Sequence, residues 1–170
     1  MKTVILGDSP PAISSLIAQR KQLGQDTHDE LWQGDYHMAP AARYEHGAAE
    51  AALIGLFRGP ARLRHLKIGT AFNLGDLDDF RVPDLGVHRG SPGGVWLPTA
   101  AIVVEVRSPD DESYEKFEFY FDRGVEEILI ADLTTYEVQW WVRGASAFER
   151  SEGSDVLGVS GTEVRLELGW

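Results

Sequence analysis

The stretch TAAIVVEVRSPDD, residues 99–111, contains the segment that decides the fold. Ile102, Val103 and Val104 form an apolar run that predicts a strand buried on both faces. Glu105 follows directly, although a carboxylate in a buried strand costs several kcal/mol unless a cation meets it. Arg107 comes two residues later and therefore projects to the same face of the strand as Glu105. The stretch predicts a central strand with a charged site at its end.

The rest of the chain predicts helices and strands in a mixed order. Ser9-Pro10-Pro11 is typical of a helix start, and Gly24 ends the apolar stripe that follows it. Further on, the patterns predict a hairpin over 29–40, helices over 42–57 and 108–124, strands over 65–74, 80–87, 99–107, 126–132 and 136–143, and one or two weak strands in 146–170. This order favours an α/β (α+β) fold with a mixed sheet flanked by helices, in one domain over residues 1–170.

The composition excludes some kinds of site and argues against some partners. The chain has 170 residues, a net charge of −11 and no cysteine, so disulfides and thiolate metal sites are excluded. No apolar run reaches the roughly 18 residues that span a bilayer, and the apolar core at the start is too short for a signal peptide. We therefore expect no membrane association and a cytoplasmic location. The acidic charge argues against indiscriminate nucleic-acid binding.

One basic stretch departs from this acidic background. RGPARLRHLK, residues 58–67, carries Arg58, Arg62, Arg64 and Lys67 without an acidic residue. One interpretation is a solvated loop between a helix and a strand. The other is a phosphate-contacting edge, because clustered basic side chains bind nucleic-acid backbones.

Two carboxylates lie on strands that are candidates for neighbours. Asp84 follows Pro83 at the start of one strand, and Glu105 lies near the end of another. If they meet at one end of the sheet, about 4–5 Å apart, they repel by roughly 4 kcal/mol at an effective dielectric constant of about 20. A divalent cation removes that repulsion, and oxygen ligands favour Mg²⁺ or Mn²⁺. The alternative is an ion pair between Glu105 and Arg107, with Asp84 closing a turn.

The order of several motifs resembles a known family. VPDLGV (82–87), followed by PTAAIVVEVRSPDDESYEKFEFYFDRGVEEILIAD (98–132), is similar to the Uma-type family of proposed restriction endonucleases in the PD-(D/E)XK nuclease superfamily. ELWQGDYHMAPAARYEHGAAEAAL (30–53) resembles that family's hairpin and first helix, so the resemblance covers roughly residues 28–143. It implies a nuclease-like core in which Asp84 and Glu105 bind metal and the carbonyl of Val106 is a third ligand.

One residue departs from the superfamily pattern. The lysine expected two residues after the glutamate is Arg107 here, and Lys116 in the following helix matches the lysine that relatives carry there. Arg107 cannot act as a base, because a guanidinium does not deprotonate in proteins, but it can neutralise charge on a phosphate oxygen. Lys116 would orient the attacking water or stabilise the transition state. The alternative is a solvent-facing Lys116 paired with Glu112, four residues before it.

The first helix of the resemblance adds two candidates. His46 and Glu50 share a helix face with Leu53 and Phe57, because positions three and four apart are neighbours. In the family this helix faces the site, so Glu50 is a candidate ligand, directly or through water. His46 is a candidate at the same place, against a purely structural role.

Two motifs have structural interpretations only. Ser108 and Asp111 are expected to cap the helix that follows them. Trp140 and Trp141 point to opposite faces of their strand, so at least one belongs to the core.

The resemblance implies metal-assisted hydrolysis of phosphodiester bonds in nucleic acid, in the first place DNA, with Mg²⁺ or Mn²⁺ as cofactor. A catalytically inactive nuclease-fold binding module and a metal-dependent hydrolase of another substrate are the alternatives. The −11 charge and the absence of lysine at position 107 favour the inactive module. The partners expected are nucleic acid and, as an open option, a second copy of the chain in a homodimer.

Overall fold

The computed structural model describes residues 3–7, 10–41, 43–109 and 111–170. Ser9, Ala42 and Asp110, which belong to predicted helix starts, lie outside these ranges. The described chain forms four α-helices and one 3₁₀ turn: α1 (Pro11–Gln22), α2 (Tyr44–Leu63), the 3₁₀ turn (Ser113–Lys116), α3 (Phe117–Asp122) and α4 (Gly161–Leu168). Within these ranges, no helix combines the length and apolarity needed to cross a membrane.

Short strands make up the rest of the regular structure. In chain order they are β1 (Thr3–Ile5), β2 (Glu30–Trp32), β3 (Asp35–Met38), β4 (Lys67–Thr70), β5 (Asn73–Asp76), β6 (Asp79–Arg81), β7 (Leu85–His88), β8 (Trp96–Leu97), β9 (Ile102–Arg107), β10 (Glu127–Asp132), β11 (Glu137–Arg143), β12 (Phe148–Ser151), β13 (Gly153–Ser154) and β14 (Val159–Ser160). The predicted hairpin is β2–β3, which turns at Gln33-Gly34. β1 and β8 have no counterpart among the predicted strands.

Two six-stranded mixed sheets carry the fold. The first has the order β12-β11-β10-β9-β7-β4 and the second the order β1-β3-β2-β6-β5-β8, while β13 pairs with β14 alone. In the first sheet β9 and β10 are parallel and the other neighbours are antiparallel. The 3₁₀ turn and α3 connect β9 to β10, because a parallel pair needs a crossover. The predicted mixed-sheet fold is therefore confirmed, with β9 in its interior.

Both faces of β9 and β10 are buried because a separate apolar cluster covers each face. On one face, Leu53 and Phe57 from α2 pack with Trp140, whose ring centroid lies 6.2 Å from that of Phe57. On the other face, Tyr120 from α3 packs with Ile128. Trp140 is fully buried, which confirms that at least one of the paired tryptophans belongs to the core.

Helix α2 is longer than predicted. It continues through Pro60 to Leu63 because its buried face, Leu53, Phe57 and Ala61, repeats every four residues across the proline. That packing offsets the hydrogen bond that a proline removes. The interpretation of residues 58–67 as a loop is therefore wrong. The four basic residues are all exposed, with Arg58 and Arg62 on α2, Arg64 at its C-cap and Lys67 at the start of β4.

Two predicted strands are each divided between the two sheets. Residues 65–74 form β4 and β5, with Ala71 between them at a φ of 40°, a left-handed conformation that interrupts a strand. Residues 80–87 form β6 and β7, separated by Val82-Pro83-Asp84. Pro83 has no N–H to give to a ladder, so the chain changes sheets there.

The helix predicted over 108–124 begins later. Its first regular turn starts at Ser113, whose backbone N–H donates to Asp111 Oδ1 over 2.7 Å. Asp111 thus closes a turn just before the 3₁₀ segment, but the N-cap residue is Glu112, which makes no side-chain cap hydrogen bond. Ser108 lies five residues before the turn, so neither of the two predicted caps occupies the cap position. Gly124, at a φ of 75°, follows the helix end as predicted.

The tail contains a helix that the predicted weak strands do not account for. After β12, β13 and β14, helix α4 begins with a capping box, in which Ser160 Oγ accepts from the Glu163 N–H and Glu163 accepts from the Ser160 N–H. The Ser-x-x-Glu spacing that marks such a start is visible in the sequence. Val164 of α4 is buried in the cluster that contains Trp140.

Candidate active site

The register of the first sheet brings the two predicted carboxylates together. β7 and β9 pair antiparallel with Leu85 opposite Val104, so one further step along both strands sets Asp84 opposite Glu105. Asp84 Oδ2 accepts a hydrogen bond of 2.7 Å from the backbone N–H of Val106. The strands that carry the two acids are therefore neighbours, as expected, and Asp84 is fixed to the backbone beside Glu105.

A partly exposed cluster forms where α2 faces this strand end. His46 Nε2 lies 2.9 Å from Asp84 Oδ1 and 3.1 Å from Glu50 Oε1. The three side chains are 15–25% exposed, so solvent reaches them. Among the described residues they form the group of acidic and imidazole ligand atoms that lie within 4.8 Å of one another. We call these three residues the His46 cluster.

The charge of the His46 cluster depends on its hydrogen bonds. Burial by itself lowers the pKa of His46, but the hydrogen bonds with Asp84 and Glu50 outweigh burial and raise it to about 10. His46 is therefore an imidazolium at neutral pH in the metal-free protein, and it neutralises part of the charge of the two carboxylates. A bound cation would take over that role from the proton.

A second, buried cluster surrounds Glu105. Lys116 Nζ donates to Glu105 Oε1 over 3.0 Å and to Glu30 Oε1 over 2.8 Å. The Tyr120 hydroxyl also donates to Glu105 Oε1. The side chains of Lys116, Glu30 and Glu105 are at most 8% exposed. We call these four residues the Lys116 cluster.

Burial and mutual charge set the protonation of the Lys116 cluster. Burial raises the pKa of Glu105 to about 8, although the charge of Lys116 opposes the rise. Burial lowers the pKa of Lys116, but Glu105 and Glu30 more than reverse the effect, so the pKa lies above its ordinary value. Burial also raises the pKa of Tyr120 well above its usual range. Lys116 is thus a permanent cation at neutral pH and Tyr120 a permanent donor.

Both hydrogen bonds to Glu105 within the described chain use the same oxygen. Lys116 and Tyr120 meet Oε1, and no described residue donates to Oε2. Glu105 is not part of the group of ligand atoms within 4.8 Å that contains Asp84. Oε2 is therefore the oxygen of Glu105 that can bind a further ligand.

The structure decides two alternatives left by the sequence. Arg107 does not pair with Glu105, because its Nη1 donates to Asp132 Oδ2 over 2.6 Å on the neighbouring strand β10. Its guanidinium also lies over the ring of Tyr114, at 5.1 Å. Lys116 is not a solvent-facing partner of Glu112, since it is buried.

Two residues of these clusters, and the partner of Arg107, were not predicted from the sequence. Glu30 precedes Trp32 in the hairpin, and its carboxylate also accepts from the Val82 N–H at 2.8 Å. Tyr120 lies one helical turn after Lys116, a spacing that signals a shared face. Asp132 ends β10, the strand parallel to β9, and lies opposite Arg107 in the register. The predicted strands did not specify that pairing.

The comparisons with known proteins agree with this fold. A family model described as "Uma2: Putative restriction endonuclease" matches residues 17–167. No curated protein matches the chain. A crystal structure of "a putative nuclease belonging to DUF820" from Anabaena variabilis ATCC 29413 is similar, with a TM-score of 0.69 and 15% sequence identity over 82% of this chain and 90% of that chain. At this identity the structural likeness shows the fold alone.

Proposed function

Because the chain belongs to the Uma2 family, described as putative restriction endonucleases, we propose that it is a metal-dependent nuclease with a PD-(D/E)XK-type site. It would hydrolyse phosphodiester bonds in nucleic acid, in the first place DNA. The observation that carries the proposal is that Asp84 of the His46 cluster directly precedes β7, which pairs with the strand β9 that carries Glu105 of the Lys116 cluster, and that the charge of Asp84 helps to raise the pKa of Glu105. Acidic ligands beside a buried cation are what metal-assisted phosphate chemistry needs.

The donor set of the His46 cluster fits a divalent cation. His46 Nε2 contacts an oxygen of Asp84 and an oxygen of Glu50, so one nitrogen and two carboxylate ligand atoms converge at one place. His46, Glu50 and Asp84 would hold the ion, together with Glu105 Oε2 and the Val106 carbonyl. An imidazole ligand favours Mn²⁺ over Mg²⁺. When bound, the ion would supply Lewis-acid stabilisation of phosphate charge and a water of lowered pKa.

The chain's own residues would do the remaining work. Lys116 stays protonated, so it acts as a donor to a phosphate oxygen and not as a base. Glu30 and Tyr120 hold it and Glu105 in place by the hydrogen bonds described above. Arg107, fixed by Asp132, is available to neutralise phosphate charge at the same strand end.

The backbone of the substrate would run along the exposed basic residues. Arg58, Arg62, Arg64 and Lys67 lie on α2 and at the start of β4, beyond the turns of α2 that carry His46 and Glu50. On a chain with a net charge of −11 they supply a local positive surface. Nucleic-acid affinity should fall with salt, and the double variant Arg62→Ala/Arg64→Ala should flatten the log–log salt slope by roughly two units.

Nicking of supercoiled plasmid with and without Mn²⁺ tests the proposal. Wild type should nick only with the metal, and Asp84→Asn should lose nicking together with the Mn²⁺-dependent rise in melting temperature. Asp78→Asn, an exposed aspartate in the turn between β5 and β6, is the matched control for loss of one charge. A purified wild type that never cleaves nucleic acid, or an Asp84→Asn variant that still gains stability from Mn²⁺, contradicts the proposal.

An inactive binding module is the second candidate, favoured by one observation. In the metal-free protein, the carboxylates of both clusters already pair with the chain's own cations, His46 and Lys116. A site closed by ion pairs needs no metal for its stability. Crystals soaked in Mn²⁺ separate the candidates: an ion displacing His46 from Asp84 supports the nuclease, and unchanged ion pairs support the module.

A further inference from the structure

A cavity of about 510 Å³ has on its wall Glu45 and Ala49, the chain neighbours of His46 and Glu50 on α2. Its walls come from the first turns of α2, the residues after β9, the turn after β10 and the end of α4. Glu45, on its wall, is the neighbour of His46 along α2. Ser108, also on its wall, lies two residues after Val106, whose N–H holds Asp84. The same two elements, α2 and the end of β9, therefore supply residues to the cavity wall and to the proposed metal site.

Three aromatic rings line this cavity. Tyr44 is 85% exposed and Tyr136 is 61% exposed. Trp170 meets the ring of Tyr136 edge to face, with centroids 5.6 Å apart. Large exposed rings of this kind leave their faces open for stacking, and a folded chain does not gain from exposing them.

Polar groups between the rings suit the edges of a planar heterocycle. Ser108 and Thr134 supply hydroxyl groups, which can donate or accept, and Glu45 supplies an acceptor for an amino group. The volume lies within the roughly 300–1,000 Å³ of ligand pockets. Flat aromatic walls with a few polar groups between them match a nucleobase better than a lipid chain or an extended peptide.

From these observations we propose that the cavity binds an unpaired nucleobase of the substrate, next to the bond that is cut. The inference rests on the proposed nuclease function and narrows its substrate class. A base inside a duplex is stacked and paired, so only a single strand, or a nucleotide turned out of the helix, can enter. Every base has a π-face, so stacking here adds affinity for single strands without a preferred sequence.

Fluorescence anisotropy with a labelled single-stranded thymidine 12-mer, in Ca²⁺ to occupy the carboxylates, tests the cavity. Tyr44→Ala and Tyr136→Ala should each weaken binding about 5- to 100-fold, the range for one stacked base. The slope of affinity against salt should stay unchanged, because stacking releases no counterions. Tyr44→Phe and Tyr136→Phe keep the ring and should bind within about twofold of wild type.

Leu77→Ala removes an exposed apolar side chain outside the cavity and serves as the matched control. A blunt duplex of the same length should bind more weakly than the single strand and should be insensitive to Tyr44→Ala. Melting temperatures near that of wild type show that the variants are folded.

The outcomes separate this inference from the proposed function. If wild type nicks plasmid with Mn²⁺ while both alanine variants bind the single strand like wild type, the cavity proposal is overturned and the nuclease proposal stands. Equal binding of the duplex and the single strand also overturns it. If the alanine variants lose single-strand binding but no nucleic acid is ever cleaved, the cavity proposal holds and the nuclease proposal fails.

Discussion

Replacement of Lys116 by methionine should destabilise the protein strongly. The ammonium of Lys116 lies between Glu105 and Glu30, and all three side chains are at most 8% exposed. Methionine fills a similar volume but removes the charge, so two buried carboxylates lose their shared cation. Solvent cannot replace it, because the cluster is closed.

The structure sets the size and the pH dependence of the effect. Loss of one partner of a buried ion pair costs about 3–5 kcal/mol. Burial raises the pKa of Glu105 to about 8, so Glu105 is largely protonated at neutral pH already in the wild type, and its pKa rises further without Lys116. The loss at neutral pH therefore falls mainly on Glu30. We therefore expect about 3 kcal/mol at neutral pH and more above the Glu105 pKa, where the proton is lost. Glu30 keeps its hydrogen bonds to Val82 N–H and Trp32 Nε1.

Urea unfolding measures this loss. With an m value of about 2 kcal/mol/M, a loss of about 3 kcal/mol lowers the midpoint by about 1.5 M. At a pH above the Glu105 pKa, the double variant Lys116→Met/Glu105→Gln should recover part of the loss, because only the Glu30 carboxylate then remains buried without its cation. Lys21→Met, an exposed lysine of α1, is the control and should shift the midpoint little. A Lys116→Met midpoint equal to that of the control, or a double variant less stable than Lys116→Met, refutes the reasoning.

Three further predictions concern stability. In Gly86→Ala the new Cβ overlaps the Phe72 ring and lies 2.6 Å from His88 Nε2. Calorimetry should therefore show a loss of about 1–3 kcal/mol from overpacking, and a melting temperature equal to that of wild type contradicts this. Ser160→Ala removes the side-chain half of the α4 capping box and should cost about 1 kcal/mol in urea, whereas Ser160→Asp, which also caps, should cost less. Burial lowers the pKa of His88 below 6.5. The unfolded chain therefore binds the His88 proton more tightly than the folded chain does, and the folded state loses stability as the pH falls below 6.5. Between about pH 7.5 and pH 5 the melting temperature of His88→Gln should drop less than that of wild type, and equal drops contradict this assignment.

The sequence predicted the parts of the site that depend on local pattern. Asp84 and Glu105 were expected to converge if their strands were neighbours, because Asp84 starts one strand and Glu105 lies near the end of the other, and side-chain alternation fixes where strand residues point. The α2 spacing of His46 and Glu50 placed them on one face in the same way. To predict these positions, one needs only the side-chain periodicity of a helix and of a strand and the pairing of two strands.

Long-range partners were beyond such patterns. Glu30 is 86 residues from Lys116, and no local period relates the two. The burial of Lys116 depends on the late start of its helix at Ser113, which follows from the Asp111 contact and not from propensity. Arg107 faces Asp132 because β9 and β10 are parallel and in register, a pairing that the alternation within β9 does not specify.

The bond between Glu30 and Lys116 joins the two sheets, since Glu30 belongs to β2 of the second sheet and Glu105 to β9 of the first. Any opening that detaches the β2–β3 hairpin therefore exposes the ammonium to water and frees Glu105 from its partner. The first sheet keeps Asp84 on the Val106 N–H during such an opening. Amide hydrogen exchange in the hairpin should consequently report the assembly of the Lys116 cluster, and Lys116→Met should speed exchange there more than in β10.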